Sequence, residues 1–348
     1  MTLFFLSSGL FLGWSLGAND AANIFGAAVG SKMIRFRTAA IICSVFVILG
    51  AVVSGAGASE TLGELGAINA IAGAFIVAAA AGFTVFWMSK LTLPVSTSQA
   101  IVGAIIGWNL YTGTATNPQI LSKIVSTWIL CPILAAAFAV VLFVLFRFFF
   151  NRAKFHLLEL DFYMRLSLIV IGAFGAYSLG ANNIANVMGV FVSVAPFRDL
   201  DLFGLIPFTG QGQLFFIGGV AIAVGVYTYS EKVMHTIGRS LFRLSPETAL
   251  VVVLAHALVL FIFSSRELAQ LLISIGLPPI PLVPVSSTHA VVGAILGIGL
   301  LKNARNINYR MLGEIALGWM VTPVVAGAIT FVALFFLENV FMQDVGRI

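Results

Sequence analysis

The chain has 348 residues, of which 60% are hydrophobic and only 9% charged. A soluble domain carries about a quarter charged residues, so this composition excludes one and points to an all-α polytopic membrane protein. The net charge of +5 does not imply a nucleic-acid partner, because Lys and Arg sit in short connecting segments, where they orient membrane helices.

Apolar runs recur at Ala39–Val53, Ala70–Met88, Ile124–Phe150, Leu214–Tyr227 and Met320–Leu337. Several approach the roughly 20 residues that cross a bilayer core. The first apolar stretch runs straight into a polar motif, so no separate cleavable signal is expected. That motif, Ser15–Asn23, reads SLGANDAAN. Gly17 and the pair Asn19-Asp20 are expected to interrupt the helix there. Asn19 and Asn23 are spaced to share one helix face, with Asp20 turned some 100° away. An ionised Asp at membrane depth costs at least about 2.5 kcal/mol, so it calls for a cation, a proton or a donor-rich partner. Cys43 and Cys131 lie in apolar runs with no CxxC spacing and read as small core residues.

Further along, residues 94–107 read PVSTSQAIVGAIIG, a proline followed by Ser96, Thr97, Ser98 and Gln99. Proline suits a first helical turn, and free N–H groups there attract anions. The helix behind it spans only about 21 Å over its 14 residues. That length implies a half-helix or re-entrant hairpin with its polar tip inside the membrane. The Phe-rich run ending at Phe150 reads as a lipid-facing helix end.

The second half repeats the first. Ser178–Asn186 reads SLGANNIAN, matching the first motif at seven of nine positions. Residues 284–297 read PVSSTHAVVGAILG, matching the first proline segment at nine of fourteen, with Ser286, Ser287, Thr288 and His289 as the polar cluster. Trp128 and Pro132 recur as Trp319 and Pro323, and Thr61-Leu62-Gly63 as Thr236-Ile237-Gly238. The second copy carries about 12 extra residues before that last point and about 15 after it. The repeats are therefore 1–150 and 166–348, joined by a charged amphipathic linker, 151–165, which is expected to be cytoplasmic.

Equivalent loops have opposite charge character. Lys32, Arg35 and Arg37 contrast with Arg198, Asp199 and Asp201. Glu60 and Glu64 contrast with Glu231, Lys232, Arg239 and Arg243. The uncharged stretch 108–122 contrasts with Lys302, Arg305 and Arg310. By the positive-inside tendency the halves are inverted, with both termini extracellular or periplasmic. About ten to twelve membrane-embedded segments are expected. Inverted repeats with broken helices mark secondary transporters, with a passive anion channel as the second class. No Ser/His/Asp spacing, metal-ligand run or nucleotide motif points to an enzyme. His256, in VLAHALV, reads first as a buried packing histidine and second as a proton relay.

At GANDAAN (17–23), GANNIAN (180–186), PVSTSQAIVG (94–103), PVSSTHAVVG (284–293) and TIGRSLFRLSPETA (236–249) the chain resembles the PiT family of inorganic phosphate transporters, over its whole length. The resemblance implies import of phosphate across the plasma membrane by alternating access, coupled to Na⁺ or H⁺. It also implies contact with membrane lipid, often a homodimer, and no cofactor beyond the coupling ion. Carried over, it assigns the anion to Asn23, Thr97, Ser98, Gln99, Asn186, Ser287, Thr288 and His289. It assigns the coupling ion to Asn19, Asp20, Asn182, Asn183, Ser96 and Ser286, oxygen ligands that suit Na⁺. The chain departs from the family at three points: Val47 and Val253 stand near positions where many members carry Glu, Asn183 replaces a second Asp, and the long central loop is missing. The sulfate-carrying branch is the alternative: Asp20 favours phosphate, since sulfate has no proton to offer such an acceptor, and the missing Glu residues favour sulfate.

Overall fold

Residues with high apolar content satisfy their backbone groups internally when surrounded by lipid, which dictates helices. The computed structural model describes residues 2–91, 95–152, 156–202, 206–240, 245–302 and 309–346. In the first half run α1 (Thr2–Gly30), α2 (Phe36–Ser54), α3 (Ala56–Gly66), α4 (Ile71–Lys90), α5 (Thr97–Thr112) and α6 (Pro118–Arg152). In the second run α7 (Leu157–Met188), a short 3₁₀ turn (Gly189–Phe191), β1 (Leu200–Leu202), β2 (Ile206–Phe208), α8 (Gly210–Ser240), α9 (Pro246–Ile262), α10 (Arg266–Ser274), α11 (Ser287–Leu301) and α12 (Tyr309–Asn339). Six of these helices are long and apolar enough to cross a membrane, or seven if α9 and α10, bent by 70°, form one span. Helices α5 and α11, of 16 and 15 residues, reach only about 24 Å, as the half-helix expectation required.

The extra residues of the second half are now placed. The 3₁₀ turn and the antiparallel hairpin of β1 and β2, with Leu200 opposite Phe208, fill the first insertion. The second is α10 with the extended stretch that follows it. Where the first half breaks between α2 and α3 at Gly55, the second runs as one helix, α8. The expected linker is mostly helical: α6 continues to Arg152 and α7 begins at Leu157. Arg165 pairs with Asp161 one turn away at 2.8 Å, as the helix-forming LLELDFYMR allows. Pro94, Ala153–Phe155, Arg243 and Arg305 lie outside the described residues.

The halves exchange partners when they pack. Helix α1 lies along α8, and its counterpart α7 lies along α2; α5 lies on α12, and α11 on α6. Glycines set the closest crossings. A Cβ on Gly17 would fall 2.0 Å from the Ile222 carbonyl oxygen, and one on Gly225 would fall 2.1 Å from that of Trp14. The counterpart crossing repeats this, with Gly50 at 2.0 Å from the Tyr177 oxygen and Gly180 at 2.1 Å from that of Val47. Small residues let apolar helices approach this closely where lipid gives no hydrophobic drive between them. So α1 runs unbroken through Gly17, and the glycine serves close contact rather than the bend expected from sequence.

The outer surface is apolar. Ile129, Ile133 and Phe149 of α6, and Met320 and Val324 of α12, are more than half exposed. Such a girdle is costly in water and ordinary in lipid.

Candidate functional site

The two proline segments bring helix starts to the buried centre. Ser96 caps α5, its Oγ accepting the Gln99 N–H at 3.2 Å. Ser286 caps α11 in the same way, accepting the His289 N–H at 3.2 Å. Both hydroxyls thus satisfy orphan donors of a helix start. One residue pair further in, the segments cross-link: Ser98 Oγ donates to the Val285 carbonyl at 2.9 Å, and Thr288 Oγ1 donates to that of Val95 at 2.7 Å. Ser98 and Thr288 are counterparts, as are Val95 and Val285, so this exchange follows the repeat.

Asparagines from α1 and α7 close on these starts. Asn23 Nδ2 donates to Ser287 Oγ at 2.9 Å. Asn186 Nδ2 donates to Ser98 Oγ and to Asn183 Oδ1, both at 2.8 Å. Here the repeat is broken, because Asn186 meets the second residue of α5 and Asn23 the first residue of α11. Ser287 has a further partner that no spacing in the sequence revealed: His256 Nε2 on α9 lies 2.9 Å from its hydroxyl. All of these side chains are buried. Several polar atoms around them have no protein partner: Thr97 Oγ1, Gln99 Oε1, Asn183 Nδ2, Asn186 Oδ1 and His256 Nδ1. Buried polar atoms are normally paired, so a group of unpaired ones beside two helix starts is chemistry fitted to a small polar ligand.

Asp20 is 2% exposed and accepts from Asn19 Nδ2 at 2.8 Å. Beside Asn19 lies a small cavity of about 10 Å³ lined by Ser15, Ser89 and Tyr229, and the hydroxyls of Ser15 and Ser89 are unpartnered. Among the described residues no group of His, Cys, Asp and Glu is arranged to hold a metal ion.

Two further expected ligands, Asn182 and His289, do other work in this conformation. Asn182 clamps the chain before α11, accepting the Val285 N–H at 2.8 Å and donating to the Val283 carbonyl at 3.1 Å. In this way an isolated extended backbone is satisfied inside the bundle. His289 turns towards α6 and α12: its Nδ1 lies 3.0 Å from the Trp128 carbonyl, and its ring packs on Trp319 with centroids 3.7 Å apart. The reason lies in α6 itself. Pro132 has no N–H for the carbonyl four residues back, which is that of Trp128, so His289 Nδ1–H supplies the missing donor. His289→Ala is expected to destabilise the protein by about 1 kcal/mol, measured as melting in detergent. His289→Gln, the residue of the first repeat, restores a donor and most of that loss.

The sequence profile of the phosphate transporter family matches residues 16–160 and 158–330. The chain belongs to the phosphate transporter family. It is 28% identical to a protein of Pyrococcus furiosus named as a phosphate permease, over 92% of each chain. It is 30% identical to the sulfate permease CysP of Bacillus subtilis, over 92% of this chain and 84% of that one. A solved structure of a sodium-dependent phosphate transporter shares the fold, with a TM-score of 0.76 and 23% identity over 97% of this chain and 98% of the other. Family and relatives are transporters and permeases rather than enzymes, and this chain is a multi-pass membrane protein.

Proposed function

We propose that this chain is a secondary active symporter that imports inorganic phosphate across the plasma membrane by alternating access. The observation that carries the reading is the crossing of two capped helix starts, one from each repeat, with Asn23 and Asn186 delivering amides onto Ser287 and Ser98. Helix N-termini, hydroxyls and amides are donors, and a tetrahedral oxyanion needs donors. The anion would exchange these internal bonds for bonds to its own oxygens, with Thr97 and Asn183 adding atoms that now have no partner. Asp20 is the carboxylate that a coupling Na⁺, or a proton, would neutralise, so that anion and cation cross together at low charge cost.

The exchange of partners between halves supports inverted repeats, in which one half rocks against the other around a fixed site. Both termini are then periplasmic or extracellular, and two chains form a homodimer in the lipid. Sulfate is the second reading. It is favoured by the resemblance to CysP and by the apolar, buried Val47 and Val253.

Proteoliposomes loaded with purified protein decide between these. Phosphate is expected to accumulate only when a Na⁺ or proton gradient is imposed. Accumulation of sulfate alone would transfer the reading to the sulfate branch. Gradient-independent flux of either would make the chain a channel, and flux of neither would sink the proposal.

A further inference from the structure

His256 belongs to neither helix start, yet it is fully buried and touches the anion-facing hydroxyl of one of them. The first repeat has Ala81 at the counterpart position, and there Thr97, the counterpart of Ser287, has no partner at all. The contact is therefore peculiar to one side of the site.

The bonding at Ser287 is constrained by arithmetic. A serine hydroxyl has one hydrogen and two lone pairs. Asn23 Nδ2 occupies one lone pair. If the imidazole carries its proton on Nδ1, Ser287 must spend its hydrogen on Nε2 and has none for an anion. If the proton is on Nε2, the ring donates to Ser287, fills the second lone pair, and leaves the hydroxyl hydrogen free to point into the site. A doubly protonated ring permits only the second arrangement. A proton on the ring and an anion at Ser287 therefore favour each other, by orientation and by charge. Binding sites linked in this way are coupled reciprocally.

We propose that His256 is a proton-linked positioning residue, which turns the Ser287 hydroxyl towards the anion when it binds a proton and so makes anion affinity rise as pH falls. The proton comes from bulk water, adds to the free ring nitrogen, and leaves by the same lone pair; no covalent bond forms. On the elements packed against α9, the ionisable groups away from the helix ends are Asp20 on α1, Tyr177 on α7, Cys131 on α6 and His289 on α11, whose Nδ1 is held by the Trp128 carbonyl. Glu247 on α9, Glu159, Asp161, Tyr163 and Arg165 on α7 and Lys123, Arg147 and Arg152 on α6 lie towards the ends of their helices. Lys302 reaches Thr248, two helical turns from His256. None of them contacts Ser287. The inference rests on the anion-site reading above and adds to it a control that the site's own ligands do not provide.

The test is equilibrium binding of phosphate to the purified full chain between about pH 5 and pH 8, at fixed Na⁺. Glutamine at 256 can donate to Ser287 but does not titrate. The ratio of wild-type to His256→Gln affinity cancels the titration of phosphate itself. That ratio is expected to fall with rising pH, by up to about tenfold per pH unit where the ring titrates. Ser287→Ala is expected to bind about tenfold more weakly and to show the flattened slope of His256→Gln. A wild-type slope in His256→Gln overturns the proposal while leaving the anion site standing. A wild-type slope in Ser287→Ala does the same, since the histidine would then act elsewhere. If wild-type protein binds no phosphate at any pH, the site reading fails and the proposal falls with it.

Discussion

Asp20→Asn is expected to reduce cation-dependent uptake by about 10- to 100-fold while leaving the fold nearly unchanged. The size follows from losing a charge-assisted interaction in a buried place, worth about 1.5 to 3 kcal/mol. The neutrality of the fold follows from the repeat. At the counterpart position the protein already holds Asn183, whose Oδ1 accepts from Asn186 Nδ2 at 2.8 Å. Asp20 Oδ1 accepts from Asn19 Nδ2 at the same distance. An amide oxygen at position 20 therefore keeps the bond and the volume and removes only the charge. Melting in detergent and uptake under an imposed gradient should separate. If Asp20→Asn keeps its cation dependence, the coupling ion does not use this carboxylate.

The second large effect lies in packing. Gly103 and Gly293 are counterparts, and a Cβ on either would fall 2.1 or 2.2 Å from the carbonyl oxygen of Pro323 or Pro132. These oxygens are backbone and cannot turn aside as a flexible side chain would. Gly103→Ala and Gly17→Ala are each expected to destabilise by about 3 kcal/mol, the upper end for overpacking. They should lower both yield and melting temperature. Gly63 is the control, because a Cβ there meets nothing within 4 Å. Gly63→Ala should be neutral or stabilise by up to about 1 kcal/mol, since alanine is the better helix former. Equal losses at all three positions would mean that the close crossings do not hold the halves together.

Much of this was legible in the sequence because duplication makes a pattern visible twice. The two short helices that begin inside PVSTSQ and PVSSTH follow from motif and period, and the place of Asn23 and Asn186 beside them follows from the family resemblance. Ser96 and Ser286, expected as coupling-ion ligands, cap those helices instead. Other features were not legible, for identifiable reasons. Gly17 looked like a hinge, since glycine permits both bending and close approach, and only the neighbouring helix tells which is used. Asn182 and His289 looked like ligands. Each answers a backbone defect in a distant segment, the extended stretch at Val283–Val285 and the carbonyl freed by Pro132. His256 stood in an apolar run with nothing beside it in sequence to mark its contact with Ser287, 31 residues on. Contacts between elements decide these roles, and spacing along the chain does not carry them.

The central claim is that both repeats build one anion site. The most direct test counts the phosphate bound per chain at saturation and then repeats the titration with Asn23→Ala, Asn186→Ala and the double variant. One phosphate per chain is expected, with each single substitution weakening that same site by about tenfold and a double loss smaller than the product of the two. Two phosphates per chain, or a site that ignores Asn186→Ala, would contradict it.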